Sequence, residues 1–311
     1  MLAIVKGLLA GERRALARAI SIVDNDEPES HEIIKQIFSM TGKARTVGFT
    51  GPGGAGKSSL IGKLIPECQA LGYKVAVLAI DPTSPITGGA ILGDRVRMQG
   101  NLDDEKVFMR SMASRGAVGG VSKSLRNAIR ILDAAGYDLV LVESVGAGQL
   151  EVEISKVVDL TVVLFMPNTG DNVQAVKAGL TEIGDIYVVN KSDLEGAPAL
   201  YQTILDLIGD TERKPIVLKT STKTGKGIQE LTRTIDKLLK EKSINYKVRE
   251  RKMLEDELKD MVLNMVGQKV SSMLAQDKKY SHFIEKLARK EIDPYVAADQ
   301  LAAGLFSSSS G

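Results

Sequence analysis

The run Gly51-Pro52-Gly53-Gly54-Ala55-Gly56-Lys57-Ser58 constrains this chain more than any other feature, because it fits G-x-x-x-x-G-K-[ST] between a strand-like stretch, Thr46 to Thr50, and a helix-like one, Lys57 to Leu71. Such a loop needs a strand–turn–helix unit around it. Its glycines turn backbone N–H groups toward phosphate oxygens, and the N-terminus of the following helix adds partial positive charge. On this reading Gly51, Pro52, Gly53, Gly54, Ala55, Gly56, Lys57, Ser58 and Ser59 hold a nucleotide, with Lys57 on its β- and γ-phosphates and Ser58 on Mg²⁺. Pro52 stands where ATPases of the ParA and MinD type carry a signature lysine, which disfavours that group.

Short apolar runs alternate with longer amphipathic ones from Thr46 to about Lys240. The predicted strands are Thr46 to Thr50, Val75 to Ile80, Val107 to Arg110, Leu139 to Glu143, Leu160 to Met166, Ile186 to Asn190 and Ile216 to Lys219. Several are apolar on both faces, as strands covered by helices above and below must be. The segments Lys57 to Leu71, Ser122 to Ala135, Asn172 to Glu182, Ala199 to Ile208 and Gly227 to Lys240 read as helices, with Pro66 expected to kink the first or end it early. The repeated order predicts an α/β fold: a doubly wound, mostly parallel sheet over residues 46–242. Helical spacing of Leu2, Val5, Leu8, Leu16 and Ile20, then a helix from His31 to Met40, predicts an N-terminal helical extension over 1–45. Strand signals stop after Lys240. Residues 243–306 read as a C-terminal helical arm whose stripe of Leu254, Leu258, Met261, Met265 and Met273, with Val262, Val266 and Val270, needs a partner surface, and 307–311 as a disordered tail.

Charge and cysteine usage narrow the function. Forty-one Lys plus Arg against thirty-nine Asp plus Glu leave a net charge of +2, too small an excess for a general nucleic-acid binder. One cysteine, Cys68, excludes an internal disulfide, and two histidines, His31 and His282, far apart in sequence, leave no soft metal cluster. Apolar stretches are strand-sized and no basic n-region precedes the first ten residues, so neither a membrane span nor a secretory signal is expected, and the location is read as cytoplasmic or an organelle matrix, with cytoplasmic preferred.

Base identity is carried by Asn190-Lys191-Ser192-Asp193, an N-K-x-D element at the end of a predicted strand. A carboxylate at Asp193 accepts from guanine N1–H and its 2-amino group, whereas adenine offers it an acceptor at N1. Thr220, Ser221 and Thr222 follow the next strand, where the backbone of a GTPase loop meets guanine O6; Thr222 replaces the usual alanine. Mg²⁺ takes hard oxygen ligands, and Asp81, Asp94 and Glu143 qualify beside Ser58. Gly146, three residues past Glu143, is placed to sense the γ-phosphate through its amide.

These residues resemble the MeaB/ArgK group of metallochaperone-type P-loop GTPases. The likeness spans nearly the whole chain: Leu8 to Ile20, Val47 to Leu64, LAIDPTSPITGGAILGDRVRM from Leu78 to Met98, MRSMASRGAVGG from Met109 to Gly120, VESVGAGQLEVEI from Val142 to Ile154, and the N-K-x-D region. The resemblance implies a GTP hydrolase binding GTP or GDP with Mg²⁺, Glu143 as its Walker-B acid, and switch regions over Asp81 to Met98, Glu143 to Glu153 and Gly170 to Gly179. In these, Gln149 would orient the attacking water or bond a switch loop, and Lys177 would couple nucleotide state to a partner. Arg95, Arg97, Arg110 and Arg115 would supply positive charge near the site, for the phosphates or for the mutase. The implied client is an adenosylcobalamin-dependent acyl-CoA mutase of the methylmalonyl-CoA mutase type, with an adenosyltransferase as a further partner and a homodimer as the assembly. Cobalamin itself is not expected to bind, since D-x-H-x-x-G is absent. Rival roles are a GTPase or kinase linked to basic amino-acid transport, a nickel-insertion GTPase, and a signal-recognition-type targeting GTPase.

Overall fold

The computed structural model describes residues 1–81, 107–113, 120–144, 149–167, 181–208, 215–243, 246–276 and 278–307. Among them are the seven expected strands: β1 (Arg45–Thr50), β2 (Val75–Asp81), β3 (Val107–Ala113), β4 (Leu139–Ser144), β5 (Leu160–Phe165), β6 (Ile186–Val189) and β7 (Ile216–Lys219). All pair in parallel in the order β3-β2-β4-β1-β5-β6-β7. The strand that feeds the glycine loop is therefore central. From it the chain first builds outward through β2 on one side and later through β5 on the other, the topological switch point at which open α/β sheets bind ligands.

Side chains alternate between two apolar layers. Ala76, Leu78, Val140 and Val142 face a layer filled by α1 (Ala3–Leu9), α2 (Arg13–Asp24), α3 (Ser30–Ile37), α5 (Gly120–Ala134) and α6 (Gln149–Ser155). Val75, Val77, Leu139 and Leu141 face the opposite layer, filled by α4 (Lys57–Ala70) and α9 (Ile228–Ser243). A short turn α7 (Thr181–Ile183) precedes β6, and α8 (Ala197–Ile208) packs beside Phe165, Tyr187 and Val189. Helix α8 begins two residues before the expected start because Pro198, with φ preset and no N–H to give, fits a first helical turn. The expected helix Asn172 to Glu182 lies outside the described residues up to position 180.

Two expectations are corrected. Pro66 does not end its helix: α4 runs on to Ala70, the one lost N–H bond being offset by burial of Leu64, Ile65 and Cys68 on either side. The segment from His31 to Met40 is not one helix, since α3 stops at Ile37 and Phe38–Met40 tighten into a 3-10 turn. Cys68 is buried, and burial pushes its thiol up to about 12, with Asp236 and Glu67 adding to the shift.

The N-terminal helices are built into the sheet's own core. Val5, Leu8, Leu16, Ile20, Ile33 and Ile37 are fully buried in the same layer as β2 and β4, and Met1–Lys247 form one compact unit. Asp133 on α5 clamps the connection into β1, accepting the backbone N–H groups of Gly42, Lys43 and Ala44. Asp133→Ala leaves those donors without their acceptor at about 1–3 kcal/mol for each that stays dry. A fall in Tm of roughly 5–10 °C is expected by calorimetry, and a change under 2 °C would show the clamp to be dispensable.

A second unit covers Val248–Gly311. It holds most of α10 (Tyr246–Gln276), followed by α11 (Lys278–Ala288) and α12 (Pro294–Ser307). Apolar side chains on α10 are widely exposed, Leu258 at 64% and Met265 at 67%. They are not confined to one stripe: consecutive Met261, Val262 and Leu263 are all exposed, and at 100° per residue they point in three directions. No helix among the described residues is long and apolar enough to cross a membrane.

Candidate functional site

The glycine loop occupies six residues between β1 and α4, and its geometry needs particular glycines. Gly51 has φ +135°, and a Cβ there would lie 2.2 Å from the Leu164 carbonyl oxygen; Gly56, at φ +90°, would put one 2.6 Å from Asn190 Nδ2. No larger residue fits either place. Gly53, by contrast, faces open space. The Lys57 ammonium curls over the loop to donate to the Gly51 carbonyl at 2.7 Å and the Pro52 carbonyl at 3.1 Å. It is 6% exposed, so it waits desolvated where phosphate oxygens would meet it.

At the first turn of α4, Ser58 Oγ donates to Glu143 Oε1 at 2.6 Å. Glu143 is brought there by sheet order, since β4 lies beside β1 with Phe49 in register with Glu143. Asp81 ends β2 on the other side of β4, where Ile80 pairs with Ser144, and both carboxylates are 2% exposed. One hydroxyl and two buried carboxylates at adjoining strand ends are the hard oxygen set that suits Mg²⁺, which keeps most of its sites for water and phosphate. No group of three or more His, Cys, Asp or Glu that could hold a metal stands among the described residues. Asp94, Gly146 and Lys177 lie outside the described residues, as do Arg95, Arg97 and Arg115; Gln149 opens α6, with its side chain outside them. Arg110 is on the edge strand β3 and donates to Ser21 Oγ of α2 at 2.7 Å. It stands three strand spacings, about 14 Å, from β1.

The base-recognition segment is wired to the phosphate loop. Asn190, fully buried, donates through Nδ2 to the Ala55 carbonyl at 2.8 Å and accepts from Thr220 Oγ1 at 3.0 Å. Lys191 takes φ +53°, a left-handed backbone that non-glycine residues adopt seldom. Ser192 N donates to the Thr220 carbonyl at 2.9 Å, holding the two loops together. Ser221 Oγ donates to Asp193 Oδ1, and that bond holds the Asp193 carboxyl below the usual carboxylate range, with Lys223 and Lys191 adding to it. Asp193 is itself exposed and open to a ligand; Thr222 is half-buried beyond Ser221.

Several contributors escaped the sequence reading. Ser144 Oγ donates to Thr50 Oγ1 at 3.2 Å beneath the loop. Gly227, at φ +76°, lets the Thr220–Thr222 turn close, since a Cβ would lie 2.1 Å from the Lys219 carbonyl oxygen. Met166, just past β5, meets Lys191. Gly227 alone had a signal, its place two residues after Gly225 where a strand gives way to a helix.

A parallel sheet with a G-x-x-x-x-G-K-S loop leaving its central strand and an N-K-x-D segment leaving a strand two places away defines the P-loop GTPase class. Within that class the chain belongs to the methylmalonyl Co-A mutase-associated GTPase MeaB family, which it matches over residues 16–276. It is 46% identical over 307 residues to a Pyrococcus abyssi protein described as a GTPase, covering 96% of this chain and 94% of that one. It is 30% identical over 328 residues to the mitochondrial methylmalonic aciduria type A homolog of Caenorhabditis elegans, covering 97% and 82%. A crystal structure of an LAO/AO transport system kinase superposes with a TM-score of 0.70 at 26% identity, covering 97% of this chain and 96% of that one. The protein is a GTPase of this family.

Proposed function

We propose that this GTPase is the chaperone of an adenosylcobalamin-dependent acyl-CoA mutase of the methylmalonyl-CoA mutase type, using GTP hydrolysis to gate cofactor loading and to protect or reactivate the mutase. The observation that carries this reading is the match to a mutase-associated family over 261 of 311 residues, counting 16 through 276. An adenosyltransferase is a further partner in this reading, and the protein works in the cytoplasm.

Catalysis in this scheme is positioning and charge stabilisation. The amides of the loop from Gly51 to Gly56, with Ser58 and Ser59 at the helix start, cradle the phosphates, and the Lys57 ammonium exchanges its two loop carbonyls for β- and γ-phosphate oxygens. Ser58 and Glu143, with Asp81 and Asp94, hold Mg²⁺ directly or through water. When bound, that ion neutralises charge on the β- and γ-phosphate oxygens. Asp193 receives the guanine edge, Asn190 and Lys191 brace it, and backbone of Thr220, Ser221 and Thr222 meets O6. Gly146 senses the γ-phosphate, Gln149 orients water or a switch loop, and Lys177 relays nucleotide state to the client. No group on this chain is assigned to cobalamin.

The second unit supplies the homodimer contact in this reading, which the exposure of Leu258, Met261 and Met265 on α10 among the described residues supports. Leu258→Glu combined with Met265→Glu should shift the protein from dimer to monomer in light scattering while GTP hydrolysis without client stays within about twofold, because neither residue lies in the nucleotide-binding unit. A dimer that survives both charges would place the interface elsewhere.

The client is tested by immobilising the protein with a non-hydrolysable GTP analogue and identifying what it retains from host lysate. Recovery of a mutase that accelerates GTP hydrolysis is the expected result. A transport-linked kinase role is the second reading, favoured by the full-length superposition on the LAO/AO transport system kinase. It requires label from γ-labelled GTP to appear on a protein acceptor, whereas the chaperone reading requires it as free phosphate.

A further inference from the structure

Sheet order places β5 between β1, which feeds the phosphate loop, and β6, which feeds the base-recognition segment. Met166, the first residue past β5, therefore lies in the gap between the two halves of the nucleotide site, half-buried. It touches both. Its Sδ accepts from Lys191 Nζ at 3.3 Å, and its Cε lies 3.4 Å from where a Cβ on Gly54 would stand, which puts the methyl against the outer turn of the phosphate loop. Lys191 makes this contact from a left-handed backbone at φ +53°.

We propose that Met166 is a positioning residue of the guanine-nucleotide site, one that supports the Lys191 side chain and the Gly54 turn so that base and phosphates find both halves in place. The inference rests on the assignment of Lys191 and Asp193 to the guanine site. A thioether is a weak acceptor for an ammonium, so the contact steers the lysine without holding it against a ligand. The flexible, polarizable side chain fills an irregular gap between two loops that no strand pairing joins. Asn190, which donates to Ala55, makes the neighbouring tie and is fully buried; Met166 is the tie on the solvent side. The support reaches Lys191, which flanks a base, and leaves the edge read by Asp193 untouched. Loss of Met166 should therefore weaken guanine and hypoxanthine nucleotides alike.

The test compares Met166→Ala and Met166→Leu with the parent protein for GDP and IDP affinity, steady-state GTP hydrolysis and Tm. Met166→Ala should raise the Kd for GDP and the KM for GTP about 5- to 10-fold, the scale of one lost packing and weak polar contact, with kcat within about twofold. The GDP to IDP ratio should stay unchanged and Tm should stay within 2 °C. Leucine, which restores bulk, should bring KM back to within about twofold of the parent. An unchanged Kd in Met166→Ala, a loss confined to kcat, or a Tm drop shared by both variants would overturn the proposal. Asp193→Asn is measured alongside: if it loses guanine preference while Met166→Ala is silent, only the Met166 inference fails, and if it keeps that preference the guanine-site assignment fails first.

Discussion

Asp193→Asn is expected to abolish discrimination between GTP and XTP in favour of guanine, lowering GDP affinity by about 10²-fold or more, the scale seen when a site built for a hydrogen-bonding edge loses its partner. In the proposed site the carboxylate accepts two hydrogen bonds from guanine, one from N1–H and one from the 2-amino group. An amide offers one acceptor and one donor, so the donor opposes a guanine N–H and suits the xanthine carbonyl. The carboxyl is ionised at neutral pH, as aspartate ordinarily is, and Ser221 Oγ, which donates to Asp193 Oδ1, moves its titration further below that range. The sign follows from that direction: guanine preference should be flat across neutral pH and fade only as pH falls through the depressed carboxyl. Competition of GDP and XDP for a fluorescent nucleotide measures both effects. Retained GDP preference in the variant would remove Asp193 from base recognition.

Glu143→Gln should lower kcat for GTP hydrolysis by about 10²–10³-fold while GDP still binds within about tenfold of the parent, because the phosphate loop and Asp193 are untouched. The carboxylate sits 2.6 Å from Ser58 Oγ and 2% exposed, so its charge is felt in a dry site. An amide keeps the shape and one acceptor but removes the negative charge that would attract Mg²⁺ in the proposed site. The Mg²⁺ concentration giving half-maximal rate should rise in step. Titrating Mg²⁺ against single-turnover phosphate release checks this, and a normal rate at millimolar Mg²⁺ would assign the metal to other ligands.

How much of this was legible in advance varies with the range of the contact. Strands such as β2, β4 and β5 announced themselves because both their faces are largely apolar, and the loop from Gly51 to Ser58 because positive φ and inward amides are local demands that select glycine. The N-K-x-D segment was readable for a similar reason: its chemistry sits in four consecutive residues. Helix ends were less so, as Pro66 and Pro198 illustrate, where burial or position in the first turn outweighed intrinsic preference.

By itself, then, the sequence determined the element types, the parallel class of sheet and the two nucleotide motifs, all set by patterns within one helix or strand and its flanking turn. Only the tertiary structure decided which strand lies beside β1, and with it that Glu143 meets Ser58 across 85 positions and Asn190 meets Ala55 across 135. It also decided that the N-terminal helices complete the sheet's core and that Met166 falls between the two loops. A strand buried on both faces carries no alternation to mark its neighbour or its register. That choice is made by packing the whole layer at once, from contacts whose partners the local pattern never names.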